Sequence, residues 1–223
     1  MKKLITGIIL SVVCWSSNAA LITLNSTDNG WYKSDGIHTT TNTNTFTGLF
    51  SGSEYRSFYN FDVSSLVGGT ITAASIRFFS TGRIETDTGF EQIGIFNVTT
   101  LPGTGNSVAI FNDLGTGNTY GSRGLTLASG STMPDFTVTL TANSFADILN
   151  DNTFSLGAAL LTISSERVQG FWAGSLASPA AQLIVDWTAA QQPNDNNSDE
   201  IPEPATLGLF VLALLSMSRF RRG

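Results

Sequence analysis

The sequence predicts an all-β domain: an antiparallel β-sandwich, jelly-roll-like, with one short helix, framed by an N-terminal signal helix and a C-terminal membrane helix. Three observations carry this expectation. Several segments alternate apolar and polar residues at period two, as a half-buried strand does. Gly-rich turns separate them, notably Val67-Gly68-Gly69-Thr70, Pro102-Gly103-Thr104-Gly105 and Gly115-Thr116-Gly117-Asn118. The stretch between the apolar ends is rich in Gly, Thr, Ser and Asn and poor in charge and in helix-forming runs. That stretch, about 180 residues, suits one domain with a substantial core.

Residues 1–19 follow the plan of a secretory signal peptide. Lys2-Lys3 supplies the positive region, Leu4 to Val13 the apolar stretch, and Ser17-Asn18-Ala19 the small residues before the cut. Cleavage is expected after Ala19, with Ala20 the near alternative. The apolar stretch is too short for a permanent span. The only cysteine, Cys14, lies inside it, so the mature chain would carry no thiol, no disulfide and no Cys-based metal site.

The body, residues 20–190, begins with a strand candidate at Leu21–Leu24. Tyr59, Phe61 and Val63 form one apolar stripe, Ala74, Ile76 and Phe78 a second, and Phe136, Val138 and Leu140 the clearest third. Further candidates are Gln92–Val98, Ser107–Phe111, Gly124–Leu127, Phe154–Leu160 and Gln182–Trp187. A helix is expected at Ala142–Asn150, capped by Thr141, with Phe145, Ile148 and Leu149 as its buried stripe. Many short strands with one helical break fit two antiparallel sheets packed face to face.

Residues 191–201 read as a polar linker with nothing to bury. Residues 202–223 open on Pro202-Glu203-Pro204, continue through the apolar run Ala205 to Met217 and end on Arg219, Arg221 and Arg222. As a helix the run would be roughly 20 Å long, against about 30 Å of hydrocarbon core. The arginines would stay cytoplasmic, which turns the body outward.

This tail resembles the PEP-CTERM sorting signal, in which a Pro-Glu-Pro triplet, a short membrane helix and a basic end occur in that order. The resemblance implies transient inner-membrane anchoring after export through the Sec machinery, then processing by an exosortase in a Gram-negative bacterium. The body is similar to DNRLRE-like and carbohydrate-binding-module sandwiches of such proteins, through Tyr55 to Leu66, Gly69 to Arg77, Gly94 to Thr100 and Asp113 to Gly117. That likeness implies a fold and an extracellular setting, with extracellular polysaccharide as the expected partner.

Charge excludes some functions. Of 17 carboxylates and 11 basic residues, one carboxylate (Glu203) and five basic residues lie in the terminal segments, leaving 16 against 6 between residues 20 and 201. So acidic a body repels nucleic acid and anionic lipid. No catalytic constellation is visible. His38 is the single histidine, no Gly-x-Ser-x-Gly elbow accompanies it, and it reads as an ordinary loop residue. Glu85, Asp87 and Glu91 cluster in sequence but read as solvated charge, and a hydrolase would require them to converge in a cleft. Arg56 and Asp62 flank an apolar strand, where a rim ion pair would suit them.

Two binding readings remain. Asp28, Asn29 and Asp35 place oxygen ligands at turn positions where a structural calcium would fit, although Asp and Asn before Gly are more simply turn formers; no cofactor is otherwise expected. Trp31, Tyr32, Phe171 and Trp172 are candidates for an aromatic platform under a sugar, with core packing the favoured reading for the set and above all for Trp172. The expectation is therefore a non-enzymatic exported surface or matrix protein, with a dedicated carbohydrate-binding module as the alternative.

Overall fold

A computed structural model describes residues 19–79, 82–164, 168–173 and 179–190, without the side chains of residues 172 and 173. The signal peptide up to residue 18, the polar linker and the sorting tail, with Pro202, Glu203, Pro204 and the terminal arginines, lie outside the described residues. The chain separates into two units between Ala190 and Gln191, and every described residue belongs to the first.

Among the described residues, eleven strands form one continuous antiparallel sheet, giving the all-β sandwich-like fold. They are β1 (Ala19–Lys33), β2 (Thr45–Phe50), β3 (Ser53–Asp62), β4 (Thr70–Phe78), β5 (Ile84–Glu85), β6 (Phe90–Asn97), β7 (Thr119–Thr126), β8 (Phe136–Leu140), β9 (Thr153–Leu160), β10 (Gln169–Ala173) and β11 (Ala181–Thr188). Two α-helices interrupt them, α1 (Val108–Asp113) and α2 (Asn143–Asn150).

The long strand β1 belongs to both layers. Its first half, Ala19 to Asn25, pairs with β11, which continues through β4 to β8. From Ser26 onward the strand pairs with β3, with a register shift between Ser26 and Asp28 just after the change of partner. The free edge of β3 is divided between β2, which leads to β10 and β5, and β9, which leads to β6 and β7. At the far side β7 returns beside β8, where Thr141 N donates to Tyr120 O at 2.6 Å. An irregularity in one long strand thus lets a single sheet fold over a core.

The core draws on both layers. Ile76, Val138, Leu183 and Val185 from one meet Phe61, Ile93, Ile95 and Leu156 from the other in one cluster. The three expected stripes all turn inward, and α2 lays Ile148 into the core with Phe145 and Leu149 packed against it. Thr141 does not cap α2 with its side chain; its carbonyl instead accepts from Ser144 N and Oγ.

One expected strand is corrected. Ser107–Phe111 is the start of α1, not a strand: Ser107 Oγ accepts from Ile110 N at 3.2 Å, a side-chain N-cap. A short apolar run fits period two and period 3.6 equally, and the cap decides. The helix covers the outer face of β1 and β3, where Ile110, Phe111 and Leu114 join Tyr32 and Phe58 in a second small core. Arg56 ties it down, lying 4.3 Å over the Phe111 ring and donating to Phe111 O and Asn112 O. The rim pair Arg56–Asp62 is accordingly not formed: Arg56 bonds Glu54 at 2.7 Å, and Asp62 accepts from Ser64.

Where β2 meets β10, Gly48 faces Gly170 with φ of +146° and +135°. A Cβ at Gly48 would lie 2.1 Å from Gln169 O, so only two glycines permit this approach.

Candidate functional site

The aromatic side chains of β1, β2 and β3 that the core does not absorb gather in one cleft. Trp31 leaves β1 near its C-terminal end and meets Tyr55 of β3 edge to face, centroids 5.1 Å apart at 72°. Tyr55 also contacts Phe46 at 5.3 Å and 66°, and Phe46 contacts Phe50 at 6.2 Å and 84°. Phe46 forms the floor at 5% exposure, Trp31 and Tyr55 are half-buried walls, and Phe50 is 38% exposed at the lip. Asn42 and Asn44 complete the lining of a hollow of about 170 Å³. None of the described residues that line it is charged.

Local chemistry fixes this geometry. Ser51 and Gly52 have φ of +50° and +72°, the two positive values that a two-residue hairpin of matching twist requires, and they bring Phe50 and Tyr55 onto adjoining strands. The loop before β2 is held by Asn29, whose Nδ2 donates to Thr43 O at 2.6 Å, while Asn44 N donates to Asn42 Oδ1 at 3.0 Å. From behind, His38 Nδ1 faces Trp31 O at 2.9 Å, and its ring stacks on Tyr32 at 4.5 Å and 19°. The backbone carrying Trp31 is therefore clamped on both sides before any ligand arrives.

The expected platform divides. Tyr32 is a correction: it is fully buried in the small core under α1, and its hydroxyl accepts from Gly103 N at 3.0 Å. Burial raises its phenol above the ordinary value, against the opposing backbone bonds from Gly103 and Thr104. Alternation along β1 sends Trp31 and Tyr32 to opposite faces. Trp172 pairs in register with Phe46, and its side chain lies outside the described residues. Phe171 packs in the main core. His38 is no ordinary loop residue but a buried clamp, 9% exposed, whose backbone N–H donates to Asn106 Oδ1.

The calcium candidates have other tasks. Asn29 spends its amide on Thr43. Asp35 pairs with Lys33 at 2.8 Å and accepts from Ile37 N, and the lysine holds its carboxyl below the usual range. Asp28 lies beside the tight turn at Gly103. Among the described residues no three His, Cys, Asp or Glu side chains form a group suited to a metal ion.

Two of the three clustered carboxylates, Glu85 and Glu91, are bonded within the fold. Glu85 bonds Arg83 and the Ser129 hydroxyl, at 2.9 and 2.7 Å. Glu91 is fully buried and receives the Thr162 hydroxyl and the Gln169 amide. A second hollow, about 470 Å³, lies elsewhere on the domain between the end of α2 and the start of β9, with Asn97, Leu101, Tyr120, Asp147 and Asp151 in its lining. The Tyr120 hydroxyl donates to Asp147, and burial together with that carboxylate raises the phenol.

The chain matches no protein-family model and none of the curated proteins with which it was compared. Among the described residues no helix is long and apolar enough to cross a membrane.

Proposed function

We propose that this protein is a non-enzymatic, exported component of the cell surface or extracellular matrix, which acts by holding polysaccharide in the aromatic cleft of Trp31, Tyr55, Phe46 and Phe50. The observation that supports the reading is an aromatic cluster that stays partly exposed around a hollow, with Phe50 38% exposed at its lip. Faces of aromatic rings stack on the C–H surfaces of sugars, and rigid rings lose little conformational freedom on doing so. The described lining is aromatic and amide, a surface suited to stacking and to neutral hydrogen bonds.

The two ends of the sequence supply the setting. The signal peptide sends the chain through the Sec machinery, and the PEP-CTERM-like tail anchors it transiently at the inner membrane for an exosortase to process. Ala19 and Thr188 are ladder partners, so the body begins and ends at one end of the β1–β11 pair. At roughly 3.3 Å per residue, Trp31 lies about 40 Å along β1 from Ala19, at the other end of the strand.

Exported protein, purified from the surface or medium, tests both halves. Mass spectrometry should find Arg219 to Gly223 removed, and the protein should co-sediment with the matrix polysaccharide of its own cell. Intact arginines on surface-located protein would defeat the sorting half. Trp31→Ala co-sedimenting like the parent would defeat the cleft.

A further inference from the structure

We infer that the larger hollow, at the end of α2, binds an amino-sugar residue of a glycan through its protonated amine. The hollow shares no lining residue with the aromatic cleft, so this contact is separate from the one proposed above. Its volume, about 470 Å³, falls inside the roughly 300–1,000 Å³ of sites that enclose small ligands. Two carboxylates line it, Asp147 in the last turn of α2 and Asp151 at its C-cap. Both residues are exposed, so a solute reaches them without any opening of the fold. The buried Tyr120 donates its hydroxyl to Asp147, which holds that carboxylate at the wall.

The placement of these two charges works against the fold and calls for a cation from outside. A helix ends on a negative pole, where Lys, Arg or His in the last turn is stabilising. Helix α2 has no basic residue there and carries Asp147 and then Asp151 instead. Like charges four positions apart also repel each other. No basic residue belongs to the described lining. Among the described residues every Lys and Arg is engaged elsewhere, four in ion pairs with other carboxylates and Arg123 on Thr137 O. A local rule broken without compensation inside the protein is the mark of a functional site. The remaining walls choose among cations. Thr99, Asn152 and Thr153 bring hydroxyl and amide groups, and Leu101, 53% exposed, brings an apolar face. A sugar ring that carries one ammonium matches carboxylate, polar and apolar walls together. A bare lysine side chain leaves the hydroxyls and amides unmatched.

The test is calorimetric titration of the exported protein, in mildly acidic buffer of low salt, with a glucosamine hexamer, its fully N-acetylated counterpart and hexalysine. The glucosamine hexamer should bind the parent, and Asp151→Asn should weaken it about tenfold, the worth of one charge-assisted hydrogen bond. The same variant should leave any binding of the acetylated hexamer, which has no amine charge, unchanged. Hexalysine should bind the parent more weakly than the glucosamine hexamer. Without ligand, Asp151→Asn should melt at or above the parent temperature, because it takes a charge away from the negative pole of α2. A merely structural Asp151 would lower it. No binding of the glucosamine hexamer, unchanged affinity in Asp151→Asn, an equal loss for the acetylated hexamer, equal binding of hexalysine, or a lower melting temperature overturns the inference. The cleft reading is judged apart from it: Trp31→Ala should leave the tenfold effect of Asp151→Asn intact, and that reading falls only if Trp31→Ala leaves matrix co-sedimentation unchanged.

Discussion

The main core and the aromatic cleft are built from the same kinds of residue and differ in how completely they are used. In the core, Tyr59 meets Phe78, Phe78 stacks on Phe136, and both layers of sheet close over them. In the cleft, Trp31, Tyr55, Phe46 and Phe50 touch one another in the same edge-to-face geometries, yet Phe50 stays 38% exposed at the lip and Asn44 Oδ1 has no hydrogen-bond partner among the described residues. Aromatic residues that stabilise by burial close their surface off. A site leaves some surface and some hydrogen-bonding capacity unspent.

Substitutions should separate the two regions by size of effect. The largest effect is expected at the centre of the core. Phe61→Asp places an unpaired charge at a fully buried position and should cost about 5 kcal/mol or more, enough to abolish the cooperative thermal transition followed by circular dichroism. A variant that melts like the parent would mean that Phe61 does not face the core.

Alkali should attack the core next. Burial pushes the Tyr59 phenol up to about 12 from an ordinary value of 10.0, outweighing the bonds from Thr45 and Ser57. The unfolded chain then loses this proton before the folded one. The contribution is intact below pH 10 and is lost as the pH climbs towards 12, by roughly 3 kcal/mol. Tyr32 and Tyr120 shift in the same direction and steepen the fall. Urea melts at pH 9 and pH 11 check this, and equal midpoints would contradict it.

Arg56→Ala should have an intermediate effect, about 2 kcal/mol, through loss of the Phe111 stack and the two carbonyl bonds that seat α1. Amide exchange should accelerate in α1 and not in β8. Uniform acceleration would show that Arg56 supports the whole sandwich rather than this one helix. The smallest effect belongs to the cleft: Phe50→Ala at the exposed lip should change stability by about 1 kcal/mol or less while weakening polysaccharide retention.

How much of this was legible in the sequence followed from periodicity. The stripes at Tyr59–Val63, Ala74–Phe78 and Phe136–Leu140 face the core because strict alternation has one reading. Helix α1 escaped because five residues do not establish a period, although Ser107 ahead of an apolar run was available as a cap signal. Strand β2 escaped because Gly48 breaks its alternation, and the reason for that glycine is a long-range approach to Gly170. In the candidate site, Trp31 was visible as an aromatic near turn residues. Tyr32 beside it went to the other face, which adjacent positions on a strand require. Asn42, Asn44, Phe46, Phe50 and Tyr55 were not singled out, since sequence neighbours do not reveal which strands meet. The run Asn42-Thr43-Asn44-Thr45-Phe46 held a faint signal, amides leading into an aromatic strand.

The most direct test of the central claim is a paired measurement on exported Trp31→Ala, thermal melting alongside co-sedimentation with the matrix polysaccharide. A cleft that holds sugar predicts a smaller fall in melting temperature than for a core aromatic, because Trp31 is only partly buried, together with loss of most of the polysaccharide-bound fraction. A drop worth about 3–5 kcal/mol, the range for deleting a buried aromatic, with the bound fraction unchanged, would return Trp31 to the core and contradict the account.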